Sequence, residues 1–143
     1  MEVEQGYIYH IYNQGNNRGK VFFERENYLF FLKKVRKYMQ PYCDILAWCL
    51  MPNHFHLMVL VNRLELKEPA TGSPTPSRAP SGSIGNPNFN KSIGIMLASY
   101  TRAINKQEGT TGSLFRKHTK AECINCLNGI TPTFNATEFG TQI

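Results

Sequence analysis

The chain has 143 residues, 41% of them hydrophobic and 12% aromatic, enough for one domain with a core that needs no disulfides. Sixteen Lys and Arg against ten Asp and Glu leave a formal charge of +6, which favours a polyanionic partner. The sequence has no long apolar run of membrane-spanning type, and Glu2 and Glu4 stand where a secretion signal would be basic, so a cytoplasmic protein with four free cysteine thiols is expected.

In chain order, Tyr7 to Tyr12 is a β-prone run ending at the turn formers Asn13-Gln14-Gly15-Asn16-Asn17. Apolar residues at Tyr28, Phe31, Leu32, Val35 and Met39 follow helical spacing, with Lys33, Lys34, Arg36 and Lys37 on the other faces and Pro41 as the stop. Asp44–Met51 and Phe55–Val61 are strand-like runs joined through Pro52-Asn53, a hairpin signal. From about Glu65 to Asn90 the chain is rich in Pro, Ser, Gly, Thr and Asn and reads as a flexible insertion within a single domain of residues 1–143. Ile93, Met96, Leu97, Tyr100, Ile104 and Gln107 line a second helical stripe, which Gly109 and Gly112 end. Ser113–Ile124 reads as a last strand carrying Arg116, Lys117, His118 and Lys120, and a poorly structured tail begins near Asn125. The order β-α-β-β-α-β predicts an α+β, ferredoxin-like sandwich with an antiparallel sheet, the strand from His54 lying centrally beside the first.

His54-Phe55-His56 is the segment best suited to chemistry. On a strand, residues two apart share a face, so both imidazoles project together while Phe55 packs the other way. Two convergent imidazoles suit a divalent ion such as Mn²⁺, or Mg²⁺ when phosphate oxygens complete the shell. A third ligand is required, and without one the two remain half-buried strand histidines. His10 on the first strand has either a supporting role behind these histidines or a packing role, because strand parity is open at this level. Cys123 and Cys126 form a lone C-x-x-C, read as two ordinary thiols. Arg18, Lys20, Arg102, Arg116 and Lys117 fall at turns and element ends, where they are candidates for phosphate contacts. Tyr7, Tyr9, Phe22 and Phe23 offer rings for stacking on unpaired bases.

The stretch Ala47–Val59, containing Met51-Pro52-Asn53-His54-Phe55-His56, resembles the signature of single-tyrosine transposases of the HUH nuclease superfamily, and is most similar to the branch of the REP-associated tyrosine transposases. Asn13–Gly19 with Val21-Phe22-Phe23 resembles that family's opening strand and turn. Ser99–Asn105 resembles its middle helix, and Gly112–Arg116 its next strand. The resemblance implies a ferredoxin-like fold, single-stranded or hairpin DNA as partner, and Mg²⁺ or Mn²⁺ held by His54 and His56. It implies DNA cleavage and rejoining through a 5′-phosphotyrosine, and it leaves a homodimer open. The family nucleophile sits in a Tyr-x-x-x-Asn or Tyr-x-x-x-Gln pattern on a C-terminal helix. No such pattern follows Phe115, and no tyrosine follows Tyr100, so the sequence is expected to stop before that helix as a truncated, inactive form. Tyr100 with Asn105 as third ligand is the substitute at hand. Tyr100 lies on an apolar stripe, however, and Asn105 is about 140° round the helix from it. Three alternatives stand beside a transposase: a non-catalytic module for single-stranded nucleic acid, a metal-dependent phosphoesterase using water, and an RNA-binding fold with structural histidines.

Overall fold

The computed structural model describes residues 1–66 and 88–126. Among the described residues four strands and two α-helices form in the order β1 (Ile8–Gln14), α1 (Arg25–Tyr38), β2 (Cys43–Met51), β3 (His54–Val61), α2 (Phe89–Glu108) and β4 (Lys120–Cys123), with a 3-10 turn at Asn16–Arg18 after β1. The sheet order is β2-β3-β1-β4 with every neighbouring pair antiparallel, the ferredoxin-like arrangement. The strand from His54 is central and pairs with β1 from Ile8↔Leu60 to Gln14↔His54.

Alternation along the two central strands sorts the sheet into a covered face and an open one. Tyr9, Ile11 and Asn13 of β1 and Phe55, Leu57, Val59 and Val61 of β3 are buried under the helices. His10, Tyr12 and Gln14, with His54, His56 and Met58, therefore share the open face. The helices meet the covered face through an aromatic cluster. The Phe31 ring stands edge-on to Tyr100 at 5.2 Å and lies 5.0 Å from Phe55, and Phe115 closes the group at 5.8 Å from Phe55.

Local signals set the element ends. Glu24 and Asn27 exchange the two bonds of a capping box at the start of α1. Asn88 caps α2 through Lys91 N–H, and Gly109 at φ 66° ends it in the left-handed conformation that glycine tolerates best. α2 begins at Phe89, inside the stretch assigned to the insertion, because Phe89 is itself a core residue. Most of the predicted insertion, 67–87, and the tail from 127 lie outside the described residues. The chain enters and leaves the insertion at one place, where Glu65 bridges Asn88 and Phe89 N–H donates to the Leu64 carbonyl.

Two expectations are corrected. The last strand covers only Lys120–Cys123, not all of Ser113–Ile124: Phe115 bridges Gly15 and Arg116 N–H donates to the Gln14 carbonyl, but between there and Lys120 the contact to β1 passes through the Asn13 side chain, whose Nδ2 donates to the Arg116 carbonyl and to Thr119 Oγ1. Cys123 and Cys126 are joined as a disulfide, their Cα atoms 6.0 Å apart and within bridging range, so only Cys43 and Cys49 are free among the described cysteines. No helix of the described residues is long and apolar enough to cross a membrane.

Candidate metal and nucleic-acid site

The β2–β3 turn is held from outside by the chain that follows β1. Gly15 N–H donates to the Asn53 carbonyl, and Val21 and Phe22 N–H groups both donate to the Pro52 carbonyl. Gly15 is required here, since a Cβ would stand 2.1 Å from the Gly19 carbonyl oxygen. Asn53 is fixed between two partners. Its Nδ2 donates to the Arg18 carbonyl at 3.3 Å, which turns Oδ1 towards His54 Nδ1 at 2.6 Å. An amide oxygen only accepts, so His54 donates from Nδ1, and in the neutral ring it is Nε2 that carries the lone pair.

His56 is held by a different partner at the same ring nitrogen. His10 Nε2 lies 2.7 Å from His56 Nδ1, the two rings stacked at 4.9 Å, so the parity of β1 places His10 directly against His56. When His56 donates from Nδ1, its Nε2 also carries a free lone pair. Burial, then the neighbouring charges of His10 and His54, lower the His56 pKa from its ordinary value, which keeps the ring neutral near pH 7. The His54 and His56 rings are 5.0 Å apart and near perpendicular.

These two histidines line a pocket of about 270 Å³ with Tyr12, Asn13, Gln14, Arg116, His118 and Lys120. No carboxylate lines it; Arg116 and His118 come from the segment leading into β4 and Lys120 from the start of that strand. Tyr12 stacks on His10 at 4.7 Å and donates its hydroxyl proton to Glu122 Oε1 at 2.6 Å. That bond to Glu122, with desolvation, raises the Tyr12 pKa and keeps the phenol protonated.

The donor set fits a divalent cation in part. Each imidazole has Nδ1 occupied by a hydrogen bond and no described hydrogen bond on Nε2, the pattern of a metal-ligating histidine with its outer partner in place. Among the described residues no cluster of three or more His, Cys, Asp or Glu side chains is arranged to hold a metal. The remaining positions would fall to oxygen donors, such as the Gln14 amide opposite His54 or a substrate phosphate.

The structure separates the other candidates. Arg116 stands at the pocket; Arg102 and Lys117 line a different groove, on the side of α2. Arg18 and Lys20 are exposed on the turn after β1, Arg18 at a left-handed φ of 59°, and neither lines the pocket. Tyr100 is fully buried beneath the opposite face of the sheet, its hydroxyl donating to the Val21 carbonyl at 2.8 Å, and burial pushes its pKa well up. Asn105 is occupied in the turn after α2, donating to the Gly112 carbonyl and accepting from Thr110 Oγ1. Tyr100→Phe is therefore expected to cost about 1–3 kcal/mol of stability, through the unpaired Val21 carbonyl, and to leave nucleic-acid binding unchanged. Urea unfolding and oligonucleotide binding measured side by side would check this; lost binding at unchanged stability would return Tyr100 to the site.

Tyr12, Gln14, Asn53, His118, Lys120 and Glu122 were not singled out as site residues from sequence. Alternation from His10 reaches Tyr12 and Gln14, and alternation from Arg116 reaches His118 and Lys120, once either anchor is known to face the site.

No family model and no curated protein matches this chain. Its fold is similar to that of a REP-associated tyrosine transposase solved bound to a REP hairpin. The TM-score is 0.54 at 14% identity, with 88% of this chain covered. The chain spans 61% of that protein's chain. At this identity the likeness establishes the α+β fold and a distant structural relationship.

Proposed function

We propose that this chain binds single-stranded or hairpin DNA over the open face of its sheet, and that a divalent cation, Mg²⁺ or Mn²⁺, held by His54 and His56 assists breakage and rejoining of a phosphodiester bond there. The observation that carries this reading is the pair of imidazoles with both Nδ1 atoms engaged, in a pocket walled by Arg116, His118 and Lys120. The Met51–His56 resemblance and the hairpin-bound structural neighbour support it.

When bound, the cation acts as a Lewis acid on the scissile phosphate. The chain's own residues do the rest. Asn53 holds the His54 ring with its proton on Nδ1, and His10 holds His56 at the same nitrogen. Arg116 and Lys120 offset phosphate charge, and Tyr12 offers a ring for an unpaired base. In the proposed transfer a tyrosine oxygen bonds to phosphorus, the bond from phosphorus to the 3′-oxygen breaks, and the 3′-hydroxyl leaves carrying a proton. The bond energy stays in the phosphotyrosine, so rejoining needs no nucleotide cofactor. Tyr100 is not that nucleophile, for the reasons above. Because Tyr12, the tyrosine lining the described pocket, is committed to Glu122 through its hydroxyl, a non-catalytic DNA-binding module is the second reading.

End-labelled hairpin oligonucleotides with single-stranded flanks, incubated with Mn²⁺ and run on a denaturing gel, separate the readings. A metal-dependent protein–DNA adduct that disappears in His54→Ala supports strand transfer. Binding without an adduct leaves the module. Release of both ends free of protein points to water as nucleophile, and no binding at all rejects both readings.

A further inference from the structure

A second cavity, of about 450 Å³, lies on the helix side of the sheet between α2 and the segment that leads into β4. Its walls include Thr101, Arg102 and Asn105 of α2, facing Arg116, Lys117 and Thr119. No carboxylate lines it, on a chain that carries ten. Lys117 and Thr119 turn into this groove, while His118 and Lys120 turn into the histidine pocket, so the segment presents alternate side chains to its two sides as extended backbone does. Arg116 and Asn13 line both cavities. The wall between them is held in place: Arg116 N–H donates to the Gln14 carbonyl, Asn13 Nδ2 donates to the Arg116 carbonyl and to Thr119 Oγ1, and Asn16 N–H donates to the Leu114 carbonyl.

From this arrangement we infer that the α2 groove is a second binding site for the backbone of a single DNA strand, continuing from the histidine pocket across Arg116. The inference rests on the proposed DNA-binding function and adds a path for the flanking nucleotides. Arg102 and Lys117 supply charge from the two walls. The hydroxyls of Thr101 and Thr119 and the Arg116 guanidinium supply donors for phosphate oxygens. Thr119 Oγ1 accepts from Asn13, which leaves its own proton to donate outward. A tethered wall loses little freedom on binding, so these contacts are pre-organised.

The test uses the Arg102→Ala/Lys117→Ala double variant, both positions being exposed. Fluorescence anisotropy with oligo-dT in EDTA compares a strand of about four nucleotides with one of about twelve, the span over which a single-strand groove fills. The longer strand is expected to bind about tenfold more weakly to the variant, with its log–log salt slope reduced by about 1.4, close to 0.7 for each lost phosphate contact. The short strand should change by less than about twofold. Equal affinity of wild type and variant for the longer strand overturns the groove. So does an equal loss for both lengths, which is general charge attraction. If wild type binds neither strand, the DNA-binding reading itself fails and takes the groove with it; if wild type binds and only the groove result is negative, that reading stands.

Discussion

His54→Ala and His56→Ala are each expected to lower the affinity for Mn²⁺ by more than about 100-fold, the largest functional effect in this chain. The ion is best followed by electron paramagnetic resonance with a hairpin oligonucleotide bound, because in the proposed site phosphate oxygens would complete its shell. Removing an outer partner should do less. Asn53→Ala frees the His54 ring and His10→Ala frees that of His56, and each is expected to cost about 10- to 100-fold in affinity. A graded series, ligands above partners, would follow from the hydrogen-bond geometry. Unchanged Mn²⁺ affinity in both ligand variants would remove the metal from the site and leave two histidines of the open face. DNA binding in EDTA should survive in all four variants, since the basic wall residues are untouched.

Phe31→Ala carries the largest expected effect on stability, about 3–5 kcal/mol. Its ring is fully buried and touches those of Phe22, Phe55, Tyr100 and Phe115, so truncation opens a cavity where both helices meet the sheet. A loss of that size is a large share of the total for a domain whose net stability is about 5–15 kcal/mol. Met58→Ala, on the open face of β3 and 39% exposed, is expected to change stability by no more than about 1 kcal/mol. The lone Trp48 on edge strand β2 is 59% exposed and offers a fluorescence probe for urea unfolding of both variants. Comparable losses in the two would contradict the assignment of one covered and one open sheet face.

Most of the architecture was legible because period and punctuation agreed. Of the stripe at Tyr28, Phe31, Leu32, Val35 and Met39 the structure buries Phe31, Val35 and Met39 and half-buries the other two; of the stripe from Ile93 to Gln107 it buries Ile93, Met96, Tyr100 and Ile104, half-buries Leu97 and leaves Gln107 exposed. Pro52-Asn53 marks the hairpin, and the spacing of His54 and His56 puts both on one side of a strand whichever side that is. The short β4 was not legible, because the pairing with β1 is interrupted between Arg116 and Lys120, where the Asn13 side chain bonds to residues more than a hundred positions away. Nor was the start of α2 at Phe89, whose burial outweighs its polar neighbourhood.

Relations between near neighbours were thus readable along the chain: the element order, the two helix faces, the turn at Pro52 and the shared side of His54 and His56. Which face of the sheet stays open was not, since that depends on where the helices pack. With that packing came the β1–β3 register that brings His10 onto His56, the placement of Asn53 against His54, the burial of Tyr100 away from both histidines, and the setting of Arg116 between two cavities with Lys117 in only one. These are relations between residues far apart in the chain, and local periodicity carries no information about which distant strand a side chain will meet.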